Sequence, residues 1–184
     1  MTTSWAGKGY CMNSSETPDK NPRCGYQENL ALLRTIDFFS VIPLETLKVV
    51  ALMCARETYK KDDYLFHQGD DDGQAFYFIS GRVGIIRGTD NPVSIRTYAA
   101  EDFIGSLSLL GPMRRLFSAR VMEEATCLVL TRKKFEKAVE QFPNLMPRIV
   151  RILIQRIQGW EERFISDCAE TCEHYKEKVG VSLL

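Results

Sequence analysis

The residues of this 184-residue chain whose types and spacing suggest chemistry lie between positions 103 and 117. Gly105 and Ser106 begin a segment that predicts a short helix over 106–110, and Arg114 and Arg115 follow after a loop. The first amides of a helix are unpaired and lie at the positive end of its dipole. Such a terminus, together with a guanidinium that matches two phosphate oxygens, is a common way to hold a phosphate. The segment therefore predicts a site that grips a small anionic ligand.

Residues suited to catalysis or metal binding are sparse elsewhere in the sequence. The two histidines, His67 and His174, lie on a predicted strand and in a distant predicted helix, so they are not expected to share a metal. Neither a Ser-His-Asp nor a Cys-His arrangement is evident. The run 70–73 (Asp-Asp-Asp-Gly) lacks the alternating ligands and distal Glu of a calcium loop, which favours a solvated turn. We therefore expect a non-catalytic protein without a bound metal.

The cysteines do not form a Cys-x-x-Cys pair, and their positions favour free thiols. Cys54 and Cys127 lie in apolar segments, which predicts buried thiols. Cys168 and Cys172 lie on one face of a predicted helix, so together with His174 they could begin a metal site. Small apolar residues on a helix face are the favoured interpretation of this pair.

Composition is that of an ordinary globular protein. Apolar residues make up 45% and charged residues 26%, and 24 Lys+Arg balance 24 Asp+Glu, so the formal net charge is zero. A nucleic-acid binder usually carries a basic excess, because phosphate contacts dominate its affinity. The apolar runs fall far short of the ~20 residues that span a bilayer, and residues 1–13 lack the apolar block of a secretory signal. We expect no membrane partner, no direct DNA contact and a cytoplasmic location.

Predicted elements divide the chain into a flexible leader at 1–26, a β-rich domain at 27–142 and a long helix at 143–184. Many short strands between glycine and aspartate turns are typical of a sandwich or barrel. Thr131 can cap the helix that follows these strands. In chain order, the predicted elements are helices at 28–36 and 44–54, strands at 64–67, 75–80, 82–87, 93–99, 118–122 and 126–130, and helices at 131–141 and 144–178.

The C-terminal helix carries an apolar seam. Val150, Leu153, Ile157, Trp160 and Phe164 follow one another at intervals of three, four, three and four residues, the a/d pattern of a coiled coil. A helix of roughly 30 residues is about 45 Å long, longer than the domain before it. A partner helix is the simplest cover for its distal part, so we expect a homodimer through this seam. The alternative is a solitary amphipathic helix folded back on the domain.

Four motifs occur in a fixed order along the chain. They are a Gln-Gly-Asp turn at 68–70, a strand that ends in Ile-Ser-Gly at 79–81, a Phe-x-Gly-x-Leu-x-Leu-Leu segment at 103–110 and Arg115, after which come two strands and two helices. No single motif is specific, but the ordered set is. Over about residues 30–157 it resembles the cyclic nucleotide-binding domain family, and most closely the sensor half of catabolite-activator and oxygen-sensing regulators. The resemblance implies an antiparallel β-roll of jelly-roll type with flanking helices and a ligand inside the roll.

The resemblance also implies which residues form the ligand site. Carried over by position, Gly105 and Leu107 supply amides to the cyclic phosphate, and Arg115 is the phosphate arginine. The family's ribose-binding Glu is Ser106 here, and its Thr or Ser after the arginine is Leu116. A hydrogen bond to a charged group is worth about 1.5–3 kcal/mol, so its loss weakens a cyclic nucleotide roughly ten- to a hundredfold. The expectation is a degenerate site for a cyclic nucleotide or another small anion.

Structural roles for the same residues remain open at this point. Leu116 and Phe117 could be alternating strand residues, with Phe117 filling part of the cavity. Ser106 could be a helix cap, and Arg115 a surface or salt-bridged residue. In an extended segment Arg114 and Arg115 would point to opposite faces, which favours one arginine inward and one in solvent.

The sequence therefore predicts a non-catalytic regulatory or sensor module that signals through its dimer helix to a protein partner. The alternative is a transcription regulator of the catabolite-activator type, represented by its sensor part. Residues 179–184, which follow the long helix, are too few for a DNA-binding helix-turn-helix. An enzyme on the same architecture, such as a metal-dependent cupin, is disfavoured because histidine and carboxylate ligands are not clustered.

Overall fold

The computed structural model describes residues 22–88, 93–140, 142 and 144–171. Its helices are α1 (Pro22–Thr35), α2 (Leu44–Met53), α3 (Arg132–Glu140) and α4 (Leu145–Thr171), with 3-10 turns at Asp37–Phe39 and Leu107–Leu109. Its strands are β1 (Ala55–Tyr59), β2 (Tyr64–Phe66), β3 (Gln74–Arg87), β4 (Val93–Tyr98), β5 (Phe103–Ile104) and β6 (Ser118–Thr131). The predicted antiparallel β-roll with flanking helices and a long C-terminal helix is confirmed.

Two long strands organise the sheet. β3 and β6 each have 14 residues and pair antiparallel with one another. Near its start β6 also pairs with β2, and near its end with β1. β3 pairs with β5 near its start and with β4 near its end. Because each long strand changes its outer neighbour along its length, the sheet curls into a roll.

The division of each long strand into two predicted strands was wrong. The segments 75–80 and 82–87 form one strand, as do 118–122 and 126–130. Register shifts between Phe78 and Val83 mark β-bulges, which bend a strand without ending it. Gly81 lies at this bend with φ +86°, and a Cβ there would overlap the carbonyl oxygen of Glu124. The glycine therefore permits the bend and does not mark a turn between strands.

Two short strands were not predicted at all. β1 exposes its central residues, among them Arg56 and Glu57, and has no apolar alternation to reveal it. β5 has only two residues and precedes the Gly105 segment. Both lie at the margin of the sheet, where side-chain burial gives a weak signal.

The structure has a helix at each of the four predicted places, but in each helix the first residue, the last residue or both differ from the predicted ones. α1 begins at Pro22, before the predicted start at 28, and a proline suits the first turn of a helix. In α2, Leu44 is exposed although the pattern placed it inward, whereas Val50 is buried. α3 buries Phe135 among its inward residues. The predicted continuation of α4 over 172–178 and the predicted leader over 1–21 lie outside the described residues.

Two apolar clusters flank the sheet. Ala75 and Tyr77 of β3 belong to the cluster between sheet and helices, whereas Phe76 and Phe78 belong to the cluster inside the roll. Successive strand residues point to opposite faces, so this apolar run is buried on both sides. The inner cluster includes Phe66 of β2 and therefore reaches the loops that carry the candidate site.

The described cysteine side chains are thiols in apolar surroundings. Cys127 is buried in the inner cluster and Cys54 is half-buried. Burial raises the pKa of both thiols to about 12, so they stay protonated at neutral pH. Of the suggested helix-face pair, Cys172 and the neighbouring His174 lie outside the described residues.

Candidate functional site

Arg115 lies in the loop before β6 and turns its side chain into the protein. The side chain is 3% exposed, and its Nε and Nη2 donate to both carboxylate oxygens of Asp72 at 2.7 and 2.8 Å. Nη2 also donates to the carbonyl oxygen of Gln74, and the guanidinium carbon lies 3.9 Å from the centre of the Phe66 ring. Arg114 is exposed, so one arginine of the pair points inward and one into solvent. The salt bridge considered for Arg115 is observed, whereas its role toward a phosphate stays a prediction.

Backbone hydrogen bonds fix the same loop. The Gly69 amide donates to the carbonyl oxygen of Arg115, and the Arg115 amide donates to that of Asp70, both at 2.8 Å. The amide of Gln68 donates to the hydroxyl of Ser118 at 2.9 Å. The position of the Arg115 guanidinium is therefore determined by its own backbone as well as by its ion pair.

The aspartate run 70–72 consists of bonded groups. The carboxylate of Asp70 accepts from the His67 amide, Asp71 pairs with Arg132, and Asp72 pairs with Arg115. The expectation of a solvated turn was wrong for Asp72, because its side chain is only 15% exposed. For Asp71, the hydrogen bond from Arg132 holds the pKa of the carboxyl below its usual value. The run neutralises two arginines.

Arg132, the first residue of α3, joins three segments. Its amide donates to the carbonyl oxygen of Gly73 and its Nε to that of Ser108, each at 2.7 Å. Its Nη2 donates to the carboxylate of Asp71. The aspartate loop, the 3-10 turn at Leu107–Leu109 and α3 are thus connected through one residue.

Gly105 packs directly against the guanidinium of Arg115. Its φ is +88°, a conformation that residues with a side chain rarely adopt. A Cβ at this position would lie 2.5 Å from the carbonyl oxygen of Gln74 and 3.0 Å from Nη1 of Arg115. The structure therefore brings Gly105 and Arg115 together, and only glycine fits between them.

The predicted helix at 106–110 is a single 3-10 turn at Leu107–Leu109. Ser106 precedes the turn without a side-chain capping bond, so the cap interpretation of Ser106 was wrong. The first hydrogen bond of the turn runs from the Ser108 amide to the Gly105 carbonyl at 3.0 Å, which leaves the amides of Ser106 and Leu107 ahead of it. One such turn has little dipole, so attraction of an anion here would depend on individual amides.

A cleft of about 440 Å³ is lined in part by Arg115. Leu116 is 73% exposed on this cleft, and Phe117 is half-buried with its ring centre 5.9 Å from that of Phe66. Arg87 and Ile95 also line the cleft. Of the predicted site residues, Arg115 and Leu116 belong to this lining, whereas 105–107 lie outside it.

The first turns of α4 pack against the domain, whereas most of the described side chains further along the helix are exposed. Leu145 and Ile149 are buried, and Leu153 packs against the cluster between sheet and helices. The other four seam residues are exposed, and they are Val150, Ile157, Trp160 and Phe164. Trp160 is 59% exposed, and its ring stacks on that of Phe164 with 5.4 Å between the ring centres. One seam residue thus contributes to the domain core, and the rest form an unpaired apolar surface in this chain.

Sequence reasoning missed Asp72 and Arg132. A buried arginine needs a buried acid as partner, so the question of what neutralises Arg115 could have pointed to the aspartate run. Nothing in the local pattern at Arg132 indicates its bonds, because they join segments far apart in sequence.

Residues 22–88, 93–140, 142 and 144–171 contain neither a metal-binding cluster nor a helix able to cross a membrane. This part of the chain holds no group of three or more His, Cys, Asp or Glu side chains placed to bind a metal ion. Within the same part, no helix combines the length and apolarity needed to cross a membrane.

Comparisons with known proteins agree with this geometry. Residues 56–142 match the family described as the cyclic nucleotide-binding domain. Mouse cGMP-dependent protein kinase 2 is 26% identical over 125 residues, which cover 65% of this chain and 16% of the kinase. The cAMP-activated global transcriptional regulator CRP of Salmonella typhimurium is 27% identical over 122 residues, which cover 64% of this chain and 58% of CRP.

A solved structure shows the same fold. The N-terminal domain of a transcriptional regulator from Streptomyces coelicolor A3(2) superposes with a TM-score of 0.63 at 20% identity, covering 71% of this chain and 95% of that domain. This chain spans less than two thirds of the length of either relative, so the likeness concerns the domain and not the whole proteins. The matched segment runs from β1 to the end of α3 and contains the aspartate loop, the Gly105 turn and Arg115. Residues 56–142 of this chain, which carry these elements, therefore match the cyclic nucleotide-binding domain family.

Proposed function

We propose that the domain is a non-catalytic regulatory or sensor module with a degenerate phosphate-binding cassette, which binds cAMP or cGMP weakly or not at all. The observation that carries the proposal is the pair Ser106 and Leu116. At the position of a ribose-binding carboxylate stands a half-buried serine, and at the position of a phosphate-binding hydroxyl stands an apolar side chain, 73% exposed on the cleft. A nucleotide placed here would lose both polar partners.

The bonding of Arg115 supports the same proposal. Nε and Nη2 are already occupied by Asp72 and Gln74, and the charge of the guanidinium is neutralised by Asp72. A phosphate would approach through Nη1, beside Gly105. The two-pronged contact that makes arginine a strong phosphate ligand would require the Asp72 pair to open.

The ligand site of the proposal consists of Gly105, Ser106, Leu107, Arg115 and Leu116, with a small anion as ligand. Ligand binding at this turn would act on α3 through Arg132, which bonds both the turn and the aspartate loop. Regulation requires that the ligand contacts differ between two states of the domain. The proposal includes a cytoplasmic location and a protein partner that reads the change.

Output through a homodimer of α4 is part of the proposal and rests on the exposed seam. Replacing Ile157 and Trp160 together by Asp should convert a dimer to a monomer in sedimentation, because charges on an a/d seam oppose helix pairing. Gln155→Asp, also exposed on α4 but outside the seam, is the matched control and should leave the dimer intact. A wild-type protein that sediments as a monomer would refute this part.

The ligand part is tested by restoring the family's residues. The double variant Ser106→Glu, Leu116→Thr should bind cAMP or cGMP at least about tenfold more tightly than wild type in calorimetric titration, since a bond to a charged group returns. Leu52→Thr, an exposed change on α2 outside the proposed ligand site, is the control and should leave the affinity unchanged. Failure of the double variant to gain affinity would point to a closed pocket and contradict a merely degenerate cassette.

A second candidate function is a transcription regulator of which this chain is the sensor part. The observation in its favour is the similarity to CRP over 64% of this chain. Finding that the reading frame continues into a helix-turn-helix, and that its product shifts duplex DNA in a gel, would favour this candidate over the stand-alone module.

A further inference from the structure

We propose, building on the regulatory site above, that the cleft beside Arg115 takes an apolar carboxylate, an acyl anion with a linear chain. Its head would lie between Arg87 and Arg114, and its chain would lie on Ile95, Leu116 and Phe117. This assigns a ligand class to the cleft that differs from a cyclic nucleotide.

Two arginine side chains of the cleft carry positive charges that no described acidic group neutralises. Arg87 and Arg114 both line the cleft and are exposed, and neither side chain has an ion pair or hydrogen bond within the part of the chain that the structure describes. Arg115 contributes little net charge, because Asp72 neutralises it. None of the lining residues within the described part of the chain is acidic. A carboxylate held by two guanidiniums is a charge-assisted arrangement that arginine favours.

The rest of the cleft is apolar and exposed. Ile95 is 56% and Leu116 73% exposed, and Phe117 adds a half-buried ring. Covering these side chains removes apolar surface from water, which favours a ligand with an apolar body. The volume of about 440 Å³ lies within the range of small-molecule sites.

The same lining disfavours a nucleoside. Among the described lining residues, Gln68 alone carries a neutral amide side chain, and its Oε1 already accepts the Gly88 amide at 3.3 Å. Ribose hydroxyls and ring nitrogens placed against Ile95 and Leu116 would lose their hydrogen bonds to water without replacement, which costs free energy. An acyl chain has no such groups.

The experiment titrates decanoate into the wild-type full chain by calorimetry, with 1-decanol as the uncharged probe of equal chain length. Decanoate is expected to bind with a micromolar Kd, and 1-decanol at least about tenfold more weakly. High salt should weaken decanoate but not 1-decanol, because the two arginines are exposed and screened. The variant Arg87→Gln, Arg114→Gln should lose at least about tenfold in decanoate affinity.

Arg82→Gln is the matched control. Arg82 lies on the same strand as Arg87 and is exposed, but it pairs with Glu123 and lies outside the cleft lining. This variant should bind decanoate as wild type does. No binding of decanoate, equal binding of 1-decanol, or unchanged affinity in the double arginine variant would each overturn the inference.

Parallel titration with cAMP separates this inference from the proposed function. If decanoate does not bind and cAMP binds weakly or not at all, the acyl ligand is refuted and the proposed degenerate regulatory site is not. Submicromolar cAMP binding would remove the proposed function, whatever decanoate does.

Discussion

Replacing Arg115 by Met should destabilise the fold by about 3 kcal/mol or more. The change keeps an unbranched apolar stem but removes the guanidinium that neutralises Asp72, whose side chain is only 15% exposed. Removing one partner of a buried ion pair costs about 3–5 kcal/mol, because the other charge is left unpaired. The lost contact with the Phe66 ring adds roughly 0.5–1 kcal/mol. In the variant, Asp72 can become protonated or turn toward solvent. The expected loss in the free energy of unfolding therefore lies near the lower end of the 3–5 kcal/mol range, at about 3 kcal/mol.

Urea unfolding followed by circular dichroism measures this loss. Arg114→Met is the neighbouring control, exposed and outside any ion pair within the described residues, and should change the free energy of unfolding by less than about 0.5 kcal/mol. The double variant Arg115→Met, Asp72→Asn should cost less than the sum of the two single changes, with a coupling of about 1 kcal/mol or more. An Arg115→Met protein within about 1 kcal/mol of wild type would refute the buried pair as a source of stability.

Three further predictions concern positions outside this pair. Gly81→Ala should lower the free energy of unfolding by about 2 kcal/mol or more, because φ is +86° and the new Cβ meets the Glu124 carbonyl; an unchanged urea midpoint would contradict the bulge. The Asp71 carboxyl should titrate below its usual pKa in carbon-detected NMR, and Arg132→Gln should raise it. Since its folded pKa is lowered, Asp71 contributes stability that is present above the unfolded value of about 3.9 and is lost as pH falls through the folded value; an unshifted Asp71 in wild type would refute the bond. Cys127 should resist alkylation in the folded protein at pH 8 and react only on unfolding, because burial raises its pKa to about 12; peptide mapping of the alkylated protein checks this, and fast native labelling would contradict it.

The β-roll with its flanking helices could be predicted because the sequence carries periodic signals. The helix at 44–54 and the start of the long helix at 144 agree with the structure within a residue or two. The full length of β3 could not be predicted, because a glycine at position 81 indicates a turn when the sequence is considered locally. The bulge at this position becomes evident only when β3 is paired with β6. The edge strand β1 has an exposed, charged centre, so its pairing with β6 rather than its own residues determines it.

For the candidate site, local chemistry singled out Gly105 and Arg115, and the structure places them close together, since a Cβ on Gly105 would lie 3.0 Å from Nη1 of Arg115. The partner of Arg115 could not be predicted by spacing, because Asp72 lies 43 positions away and looks like part of a solvated turn. The same holds for Arg132, whose three bonds reach the aspartate loop and the 3-10 turn. Such links depend on tertiary geometry, to which a single sequence gives no direct access.

We propose that the roll keeps the architecture of a cyclic nucleotide site without its affinity. Calorimetric titration of the wild-type chain with cAMP, repeated with cGMP, tests this most directly. The proposed function predicts a Kd weaker than about 10 μM for both nucleotides, because in that proposal Ser106 and Leu116 replace two polar ligand contacts. The observed pair of Arg115 with Asp72 supports the same expectation. A submicromolar Kd for either nucleotide would contradict it.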